Sequence, residues 1–417
     1  MSPKRIVWPG RLYLHFIIDH SSLSTPLSAF SIHEIYMHRC IDLAKLSAGK
    51  VAPNPMVGAV LVFENRIIGE GYHEYYGGPH AEVNCIQSVN GYDQNLIGHA
   101  VLYVSLEPCA HFGKTPPCTD LIIESRIKKV VVGCRDPFVE VNGKGIEKLR
   151  AAGIEVVTGV LEDRCEELNK RFFTFHTRHR PYILLKWAQS QNGKIAALPA
   201  TILKDDEAIF HPSSNEKDLK NIFNQRLYIS NEYTNRAVHQ WRSEEASILV
   251  GTNTALLDDP ELTNRYWPGP SPVRLVIDMD LRLPSTLKMF SDHKSRTIVF
   301  NSKHQEVNTN TLSNNAMEVE FYKITPDVGL VQQVVQALYQ MNIQSVLIEG
   351  GARLLQSFID ENTWDEARII TNTGLQIANG LAAPSLSDHT LIKEVMIISD
   401  QIHYFANHQS QTVHRTS

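Results

Sequence analysis

The chain is predicted to be an α/β protein with two domains, on three observations. Its 417 residues exceed what a single hydrophobic core usually serves. A hairpin pattern followed by alternating helices and strands fills the first part, which favours a sandwich of helices around a mostly parallel sheet. A second alternating pattern begins at Tyr182, just after a basic cluster. The expected division is residues 1–31 as an N-terminal extension, 32–180 as the first domain and 181–417 as the second.

The elements of the first domain follow from hydrophobic periodicity and turn residues. Apolar positions at helical spacing predict a helix between Ile32 and Ser47. Two apolar runs on either side of the turn Glu64-Asn65 predict a β-hairpin with strands 57–63 and 66–71. The remaining expected elements are helix 81–88, strand 101–106, helix 119–125, strand 129–133, helix 145–152, strand 155–160 and one polar helix within 161–178.

The second domain repeats the alternation with a different order of elements. Its expected strands are 182–187, 247–251, 273–278, 297–301 and 345–349, with helices around 235–245, 329–341 and 354–359. Residues 199–225 are polar, charged and aperiodic, which indicates an inserted loop or short helix.

Composition argues against several classes of protein. The net charge of −5 is opposite to the basic excess of proteins that grip a nucleic-acid backbone. No run approaches the roughly 18 apolar residues of a membrane span. The short apolar stretch after Arg11 faintly resembles a signal peptide, but it contains His15 and lacks a clear cleavage site. Six cysteines in so long a chain do not suggest a disulfide framework, and thiolate ligands need a reducing compartment. We therefore expect a cytoplasmic protein.

A set of metal-ligating residues gives the strongest chemical signal. His80 precedes a predicted helix, Cys109 follows a predicted strand, and Cys118 begins another helix. Zinc prefers tetrahedral nitrogen and thiolate ligands, and a catalytic zinc keeps its fourth position for water. One histidine and two cysteines supply three ligands, so they predict a catalytic zinc site that activates water at neutral pH.

Glu82 lies two residues after His80, near enough to reach that water without ligating the metal. It is predicted to take the proton and later to deliver it to a leaving amine. The order of these residues approaches the H-x-E…P-C-x-x-C signature of zinc deaminases. Eight residues, rather than two, separate Cys109 from Cys118, so the intervening loop must bulge outward. A closed structural zinc site is the alternative, but it would need a fourth protein ligand, and Cys85 is offset from the face of His80.

The first domain resembles the deaminase half of the bifunctional riboflavin-biosynthesis deaminase–reductases. The resemblance covers about residues 32–180, and the eight-residue cysteine spacing is that family's own pattern. It is carried by the motifs Asn54-Pro-Met-Val-Gly58, Gly69-Glu-Gly-Tyr-His73, Pro79-His-Ala-Glu-Val83, Leu106-Glu-Pro-Cys109, Thr115-Pro-Pro-Cys118 and Asp136-Pro-Phe-Val-Glu-Val-Asn-Gly-Lys-Gly145. The resemblance implies a fold like that of cytidine deaminases.

The same resemblance implies a substrate, 2,5-diamino-6-(5-phosphoribosylamino)pyrimidin-4(3H)-one, whose ring amine is replaced by oxygen. Asn54 would then hydrogen-bond the pyrimidine, although Asn-Pro is also an ordinary turn signal. Lys114 and Thr115 could touch the substrate phosphate or could equally be solvated. His73 and His111 are interpreted as surface residues rather than ligands.

The second domain alone carries weaker signals. It has no G-x-G-x-x-G fingerprint, and the turn Gly350-Gly351 between a strand and a helix is only a weak phosphate-binding signal. It resembles the reductase half of the same family through Lys186-Trp-Ala-Gln-Ser-Gln-Asn-Gly-Lys194, Gly251-Thr-Asn-Thr254, Leu257-Asp-Asp-Pro260, Leu262-Thr-Asn-Arg265, Arg274-Leu-Val-Ile-Asp278 and Ile348-Glu-Gly-Gly351.

This resemblance implies a dihydrofolate-reductase-like fold that uses NADPH to reduce the ribosyl group of the deaminated product, 5-amino-6-(5-phosphoribosylamino)uracil, to ribityl. The implied cofactor-lining residues are Ala188, Tyr228, Thr254, Asp258, Met279 and Gly351. The implied substrate-lining residues are Lys186, Arg242, Leu262, Arg265 and Glu349, with Lys186 beside the ribose. We expect the two arginines to hold the 5-phosphate, because a guanidinium grips phosphate in bidentate fashion.

The second domain also departs from the family pattern. Asn192 stands where the family commonly has Asp, Tyr228 replaces a tryptophan, and Met279 replaces a small polar residue. The insertion 199–225 has no counterpart in the usual pattern, and the residues after Gly374 match only loosely.

Two other classes of function compete with this interpretation. The first is a nucleic-acid or free-nucleoside deaminase with an unrelated second domain. An adenosine deaminase acting on tRNA would show a PCxxC motif and a basic groove, and this chain shows neither. A zinc-stabilised binding module would not need Glu82. We therefore expect a bifunctional enzyme with zinc and NADPH as cofactors and a small-molecule substrate, acting as a homo-oligomer without nucleic acid or membrane.

Overall fold

A computed structural model describes residues 31–112, 116–139, 141–198, 227–304, 319–325 and 327–408. Within these residues the chain forms two large β-sheets with helices packed against them. The expected N-terminal extension, except Ser31, and the insertion 199–225 lie outside the described residues. No helix in the described part of the chain is long and apolar enough to cross a bilayer.

The first sheet has five strands in the order β2-β1-β3-β4-β5. These strands are β1 (Gly58–Phe63), β2 (Arg66–Tyr72), β3 (Val101–Leu106), β4 (Lys129–Cys134) and β5 (Glu155–Val157). The hairpin β1–β2 and the pair β1–β3 are antiparallel, whereas β3–β4 and β4–β5 are parallel. The sheet is thus mixed, because the hairpin adds two antiparallel pairings to the predicted parallel ones.

Helices cover both faces of this sheet, as the sandwich prediction requires. They are α1 (Ile32–Lys45), α2 (Ala81–Gln87), a 3₁₀ helix (Gln94–His99), α3 (Cys118–Glu124), α4 (Lys144–Ala151), α5 (Glu162–Leu168) and α6 (Lys170–Arg178). Helices α2, α3 and α4 pack on one face through Cys85, Ile122 and Leu149. Helices α1, α5 and α6 pack on the other face, with Met37 and Phe172 in that cluster.

The prediction of one helix within 161–178 is wrong, because Asn169 divides the segment into α5 and α6. Asn169 has φ −109° and ψ 23°, and its side chain is buried. Its amide accepts a hydrogen bond from the Met56 backbone N–H at 2.8 Å and donates to the Met56 carbonyl at 2.9 Å. The helix is interrupted so that one side chain can bind both polar groups of a loop 113 residues away.

The second sheet has nine strands in the order β11-β10-β9-β8-β12-β6-β13-β16-β15. Its strands are β6 (Tyr182–Ser190), β8 (Ser247–Gly251), β9 (Val273–Ile277), β10 (Thr297–Asn301), β11 (Val319–Lys323), β12 (Ser345–Glu349), β13 (Glu366–Asn372), β15 (His389–Ile397) and β16 (Asp400–Asn407), and a separate pair joins β7 (Lys194–Ala197) to β14 (Gly380–Ala382). From β11 to β13 every pairing is parallel, and β16 and β15 extend that edge antiparallel.

The helices of this region are α7 (Glu232–Glu244), α8 (Thr252–Asp258), α9 (Lys288–Ser291), α10 (Leu330–Gln340) and α11 (Ala352–Asp360). The predicted helices of the second domain are therefore present, as are its predicted strands. The strands beyond Trp364 were not predicted. Helices α10 and α11 pack against the central parallel strands to form the largest hydrophobic core, around Phe358 and Trp364.

Helix α6 links the two sheets through charged side chains. Arg171 donates to Glu245 through both its Nε and Nη2 groups. Lys170 contacts Glu366 at 2.8 Å, and Arg180, just after the helix, forms two hydrogen bonds with Asp365. Because the acidic partners are almost fully buried, separating the sheets would leave these carboxylates without their counter-charges.

Candidate functional sites

The three predicted zinc ligands meet at one point. His80 is the residue at which α2 begins, Cys109 lies three residues after β3, and Cys118 is the first residue of α3. The His80 Nδ1 atom lies 3.5 Å from the Cys109 sulfur and 3.3 Å from the Cys118 sulfur. One ligand atom from each residue falls within 4.8 Å of the others. Cys85 is buried in the core on the far side of α2 and takes no part.

The donor set suits zinc in chemistry as well as in position. The hydrogen bonds from the Cys118 side chain and from His80 lower the pKa of Cys109 to about 4, which makes a thiolate available at neutral pH. The backbone N–H of Cys118 also donates to that sulfur, at 3.3 Å. An imidazole nitrogen and two sulfurs are three of the four ligands of a tetrahedral catalytic zinc.

Glu82 is buried one residue inside α2, on the same turn as His80. Burial raises its pKa to about 7, and the neighbouring Cys109 contributes to the shift. A carboxyl group with a pKa near the working pH can both accept and return a proton. The predicted proton shuttle is thus placed beside the predicted metal ligands.

Two of the ligands, His80 and Cys109, line a cavity of about 440 Å³ that Asn54 also lines. The Asn54 side-chain nitrogen lies 3.1 Å from His73 Nε2, and His73 Nδ1 lies 2.9 Å from the Pro79 carbonyl oxygen. Burial lowers the pKa of His73, so the ring is neutral, donating to Pro79 and accepting from Asn54. This leaves the Asn54 carbonyl oxygen for a ligand. The interpretation of His73 as a surface residue is wrong, since it is 3% exposed.

Glu107 is a functional residue that sequence reasoning missed, although it lies inside a quoted motif. Its two carboxylate oxygens accept four backbone hydrogen bonds, from residues 136, 143, 145 and 146. They hold the loop between β4 and α4 against the zinc-ligand loop. Gly145 fits this contact because a Cβ there would stand 2.0 Å from the Pro108 carbonyl oxygen.

The same loop places two further residues in the cavity, Asp136 and Phe138. Burial raises the pKa of Asp136 to about 7, while its carboxylate accepts from the Phe138 N–H at 2.8 Å. The ring of His111 lies 6.4 Å from that of Phe138, and its buried Nδ1 has no hydrogen-bond partner among the residues that the structure describes. His111 therefore lines the cavity with an unpaired polar atom, the kind of group a ligand satisfies. Lys114 and Thr115 lie outside the described residues.

In the second sheet, three predicted substrate residues form one buried ionic cluster. Arg242 on α7 donates to both oxygens of Glu349, at 2.8 and 2.7 Å, and Lys186 on β6 lies 3.6 Å from the same carboxylate. These two cations hold the pKa of Glu349 near 2 despite its burial, and burial lowers the pKa of Lys186. An ammonium group whose pKa is lowered is a better proton donor.

Arg265 and Leu262 differ in the exposure of their side chains. The Arg265 guanidinium is partly exposed, donating to the Thr263 hydroxyl at 3.0 Å, and its backbone N–H donates to His239 Nδ1 at 2.9 Å. Burial lowers the pKa of His239 to about 4, which keeps that nitrogen free to accept. Leu262 has φ 52° and its side chain is buried in a core cluster, so a ligand would meet its backbone.

The predicted cofactor residues gather at the carboxyl ends of neighbouring parallel strands, where open α/β sheets bind their ligands. Ala188 is on β6, Thr254 follows β8, Met279 follows β9 and Gly351 follows β12. Asp258 ends α8 and is exposed. Tyr228 is 69% exposed and precedes Ile229, whose carbonyl accepts from Asn372 at the end of β13.

The Gly350-Gly351 turn forms a cradle at the start of α11. Both residues have positive φ, 93° and 79°, which favours glycine. A Cβ at position 350 would stand 3.1 Å from the Thr254 methyl group. The turn therefore presents bare backbone beside a helix N-terminus, which fits the approach of a cofactor phosphate.

The fold and these two sites define a class of protein, a zinc-dependent deaminase joined to a reductase of α/β fold. Residues 30–134 match the family model of the cytidine and deoxycytidylate deaminase zinc-binding region. Residues 181–375 match the RibD C-terminal domain.

Comparison with relatives identifies the family. The riboflavin biosynthesis protein RibD of Aquifex aeolicus is 40% identical over 336 residues, 80% of this chain and 85% of that protein. The Bacillus amyloliquefaciens RibD is 36% identical, with 85% of this chain and 88% of that protein covered. The chain belongs to the RibD family of riboflavin-biosynthesis proteins.

Solved structures of similar proteins agree with this family assignment. A crystal structure from Thermotoga maritima, described as a diaminohydroxyphosphoribosylaminopyrimidine deaminase/5-amino-6-(5-phosphoribosylamino)uracil reductase, is 35% identical with TM-score 0.73. The match covers 90% of this chain and 99% of that one. The Acinetobacter baumannii RibD superposes with the same TM-score at 29% identity and covers 90% and 98%. The protein is thus a bifunctional deaminase and reductase of riboflavin biosynthesis, with zinc and NADPH as its cofactors.

Proposed function

We propose that the chain deaminates 2,5-diamino-6-(5-phosphoribosylamino)pyrimidin-4(3H)-one and then reduces the ribosyl group of 5-amino-6-(5-phosphoribosylamino)uracil to ribityl. The observation that carries this proposal is the meeting of His80, Cys109 and Cys118 beside a cavity that Glu82 lines, in a chain similar to a solved deaminase/reductase. We place the domain boundaries at residues 31 and 180. The end of α6 at Arg178 and the start of β6, the first strand of the second sheet, at Tyr182 support the second of these.

In the deaminase site, His80, Cys109 and Cys118 would hold the zinc, which when bound makes hydroxide available near neutral pH. Glu82 accepts a proton from the attacking water and returns it to the leaving amine, which departs as ammonia. Asn54, fixed by His73, turns its carbonyl oxygen to an N–H of the pyrimidine.

In the reductase site, NADPH when bound supplies a hydride to C1 of the ring-opened sugar. Lys186 donates a proton to the heteroatom double-bonded to C1, which gains the electron pair of that bond as the hydride adds, and Glu349 holds Lys186 in place. Arg242 uses three of its N–H groups on Glu349 and on the Thr263 carbonyl, so its first role is to orient that carboxylate. The more exposed Arg265 is then the better placed of the two to bind the 5-phosphate.

We infer that the cofactor rests on Thr254 and the Gly350-Gly351 turn, with Ala188 and Met279 on either side and Tyr228 and Asp258 at the rim. The convergence of these positions on the carboxyl edge of the sheet supports this arrangement. Leu262 would contribute its backbone to the substrate pocket.

We further propose a homo-oligomer in a reducing compartment, the cytoplasm. The edge strand β15 exposes Leu391 and Met396, which supports association through that edge. All six cysteines are free thiols. Analytical ultracentrifugation of the purified protein tests the oligomer directly.

Mass spectrometry of the products tests the two activities. The zinc-loaded protein is incubated with the diaminopyrimidinone substrate, first without and then with NADPH. We expect the product of amine-to-oxygen exchange alone in the first case, and that product with two added hydrogens in the second. An unchanged substrate in both incubations would contradict the proposal, as would reduction that precedes deamination.

A further inference from the structure

The cavity of the deaminase site is not closed by the first domain alone. Two of its lining residues, Asn342 and Gln344, belong to the turn between α10 and β12 of the second domain. This turn is held against α6 by aromatic contacts. The rings of Phe175 and Tyr339 lie 4.8 Å apart, and Tyr339 contacts His179 at 3.0 Å.

Gln344 is a largely buried residue that lines the cavity. It is 5% exposed, and its backbone oxygen accepts from Tyr182 at 2.9 Å. Its side-chain amide forms no hydrogen bond with any other described residue, although it can donate two and accept two. An amide at a cavity wall whose hydrogen bonds are not taken up by the described protein groups can bind a molecule that enters the cavity.

A series of rings leads from the metal ligands to this end of the cavity. His111 follows Cys109 in the chain and lies 6.4 Å from Phe138, and Phe138 lies 5.0 Å from His176 on α6. His176 adjoins Phe175, which contacts the second domain. His111, Phe138, His176 and Gln344 all line the same cavity, so a substituent of a heterocycle held at the zinc end has room to extend towards Gln344.

We propose that Gln344 is a specificity-determining residue of the deaminase, and that its amide binds ribose hydroxyl groups on the phosphoribosylamino arm of the substrate. This inference rests on the substrate assigned under the proposed function. None of the described lining residues is Lys or Arg, so this end of the cavity suits neutral hydroxyls better than the phosphate. An amide that both donates and accepts matches a hydroxyl group, which does the same.

The test uses the full-length, zinc-loaded protein with the substitution Gln344→Met, which keeps the length and flexibility of the side chain and removes its polar atoms. Deamination is measured with the phosphoribosylamino substrate and with the same triaminopyrimidinone base lacking the arm. With the full substrate, kcat/KM should fall about 10-fold through KM, since one lost hydrogen bond in a closed site has roughly that effect. With the free base it should not change.

The matched control is Gln340→Met, the same substitution on the exposed last turn of α10, which should leave both substrates unaffected. NADPH-dependent reduction in the same preparation reports that the second domain is folded. If Gln344→Met lacks that activity, Gln344→Ala repeats the comparison.

An equal fall with both substrates would show that Gln344 is structural and would overturn the inference. No fall with either substrate would overturn it as well. A wild-type protein that deaminates the free base but not the full substrate would instead contradict the proposed function, and the two failures are thereby distinguished.

Discussion

The zinc pocket draws its metal ligands and its proton shuttle from residues 80–118, whereas the reductase pocket collects side chains from Lys186 to Gly351. In the zinc pocket, a metal ion needs three donor atoms close together, and the residues that supply them form a compact pattern in the sequence. In the reductase pocket, four of the residues predicted to line the cofactor lie on or just after four different strands, so no single stretch of sequence contains them. The comparison teaches that metal ligands can be predicted from a local sequence pattern, whereas a cofactor-binding surface depends on how the strands of the whole sheet are arranged.

The sharpest test of the zinc pocket is Glu82→Gln. The amide keeps the shape of the side chain but cannot shuttle a proton, so deamination should fall by about 10²- to 10⁴-fold. Zinc content, measured by plasma mass spectrometry, should stay at one ion per chain, and NADPH-dependent reduction should be unchanged. Near-normal deamination would refute the role, and loss of zinc would show that Glu82 supports the metal ligands instead.

In the reductase pocket, the largest expected effect is that of Arg242→Ala on stability. The substitution leaves Glu349 buried with only Lys186, at 3.6 Å, as counter-charge. Removing one partner of a buried ion pair costs about 3–5 kcal/mol in the free energy of unfolding. Urea denaturation measures it, with Arg236→Ala on the same helix as the control. Equal stability of the two variants would show that Glu349 is solvated.

A smaller effect is expected for Arg265→Ala. This substitution tests whether Arg265 binds the substrate or NADPH. The KM for the phosphorylated intermediate should rise roughly 10- to 150-fold, since a charged hydrogen bond contributes about 1.5–3 kcal/mol. NADPH affinity, followed by fluorescence titration, should stay nearly constant. Weaker NADPH binding with an unchanged substrate KM would assign this arginine to the cofactor.

The smallest expected effect is that of Asn169→Ala on deamination. The substitution Asn169→Ala removes the two hydrogen bonds that hold Met56, and leaving such backbone groups unsatisfied costs about 1–3 kcal/mol. The loop that carries Asn54 should loosen, which raises KM for deamination while zinc binding persists. Reductase rates serve as the internal control. A lower kcat with unchanged KM would contradict this positioning role.

The sequence predicted which residues meet in the cluster of possible metal ligands, for a physical reason. His80, Glu82, Cys109 and Cys118 occupy helix starts and a strand end, which periodicity and turn residues locate. Glu107 escaped notice because its four backbone hydrogen bonds come from residues 136–146, and nothing local reveals such partners. Asn169 escaped for the same reason, since its partner lies 113 residues away.

The edge of the second sheet was harder to predict than its centre. The central parallel strands are continuous apolar runs, whereas β15 alternates exposed and half-buried positions and packs few side chains into the core. His239 was missed because its role, accepting a hydrogen bond from the Arg265 backbone, depends on how α7 meets a distant loop. Periodicity reports burial, but it does not report which buried polar groups meet.

Strand β12 has a consequence for the path of the intermediate. Gln344, just before its first residue, lines the deaminase cavity, and Glu349, its last residue, lies in the reductase cluster, roughly 16 Å further along at the usual rise per residue. Between them Val346, Leu347 and Ile348 are completely buried. The two groups therefore stand at opposite ends of one buried strand, and a compound released beside Gln344 has at least that distance to cover before it reaches Glu349.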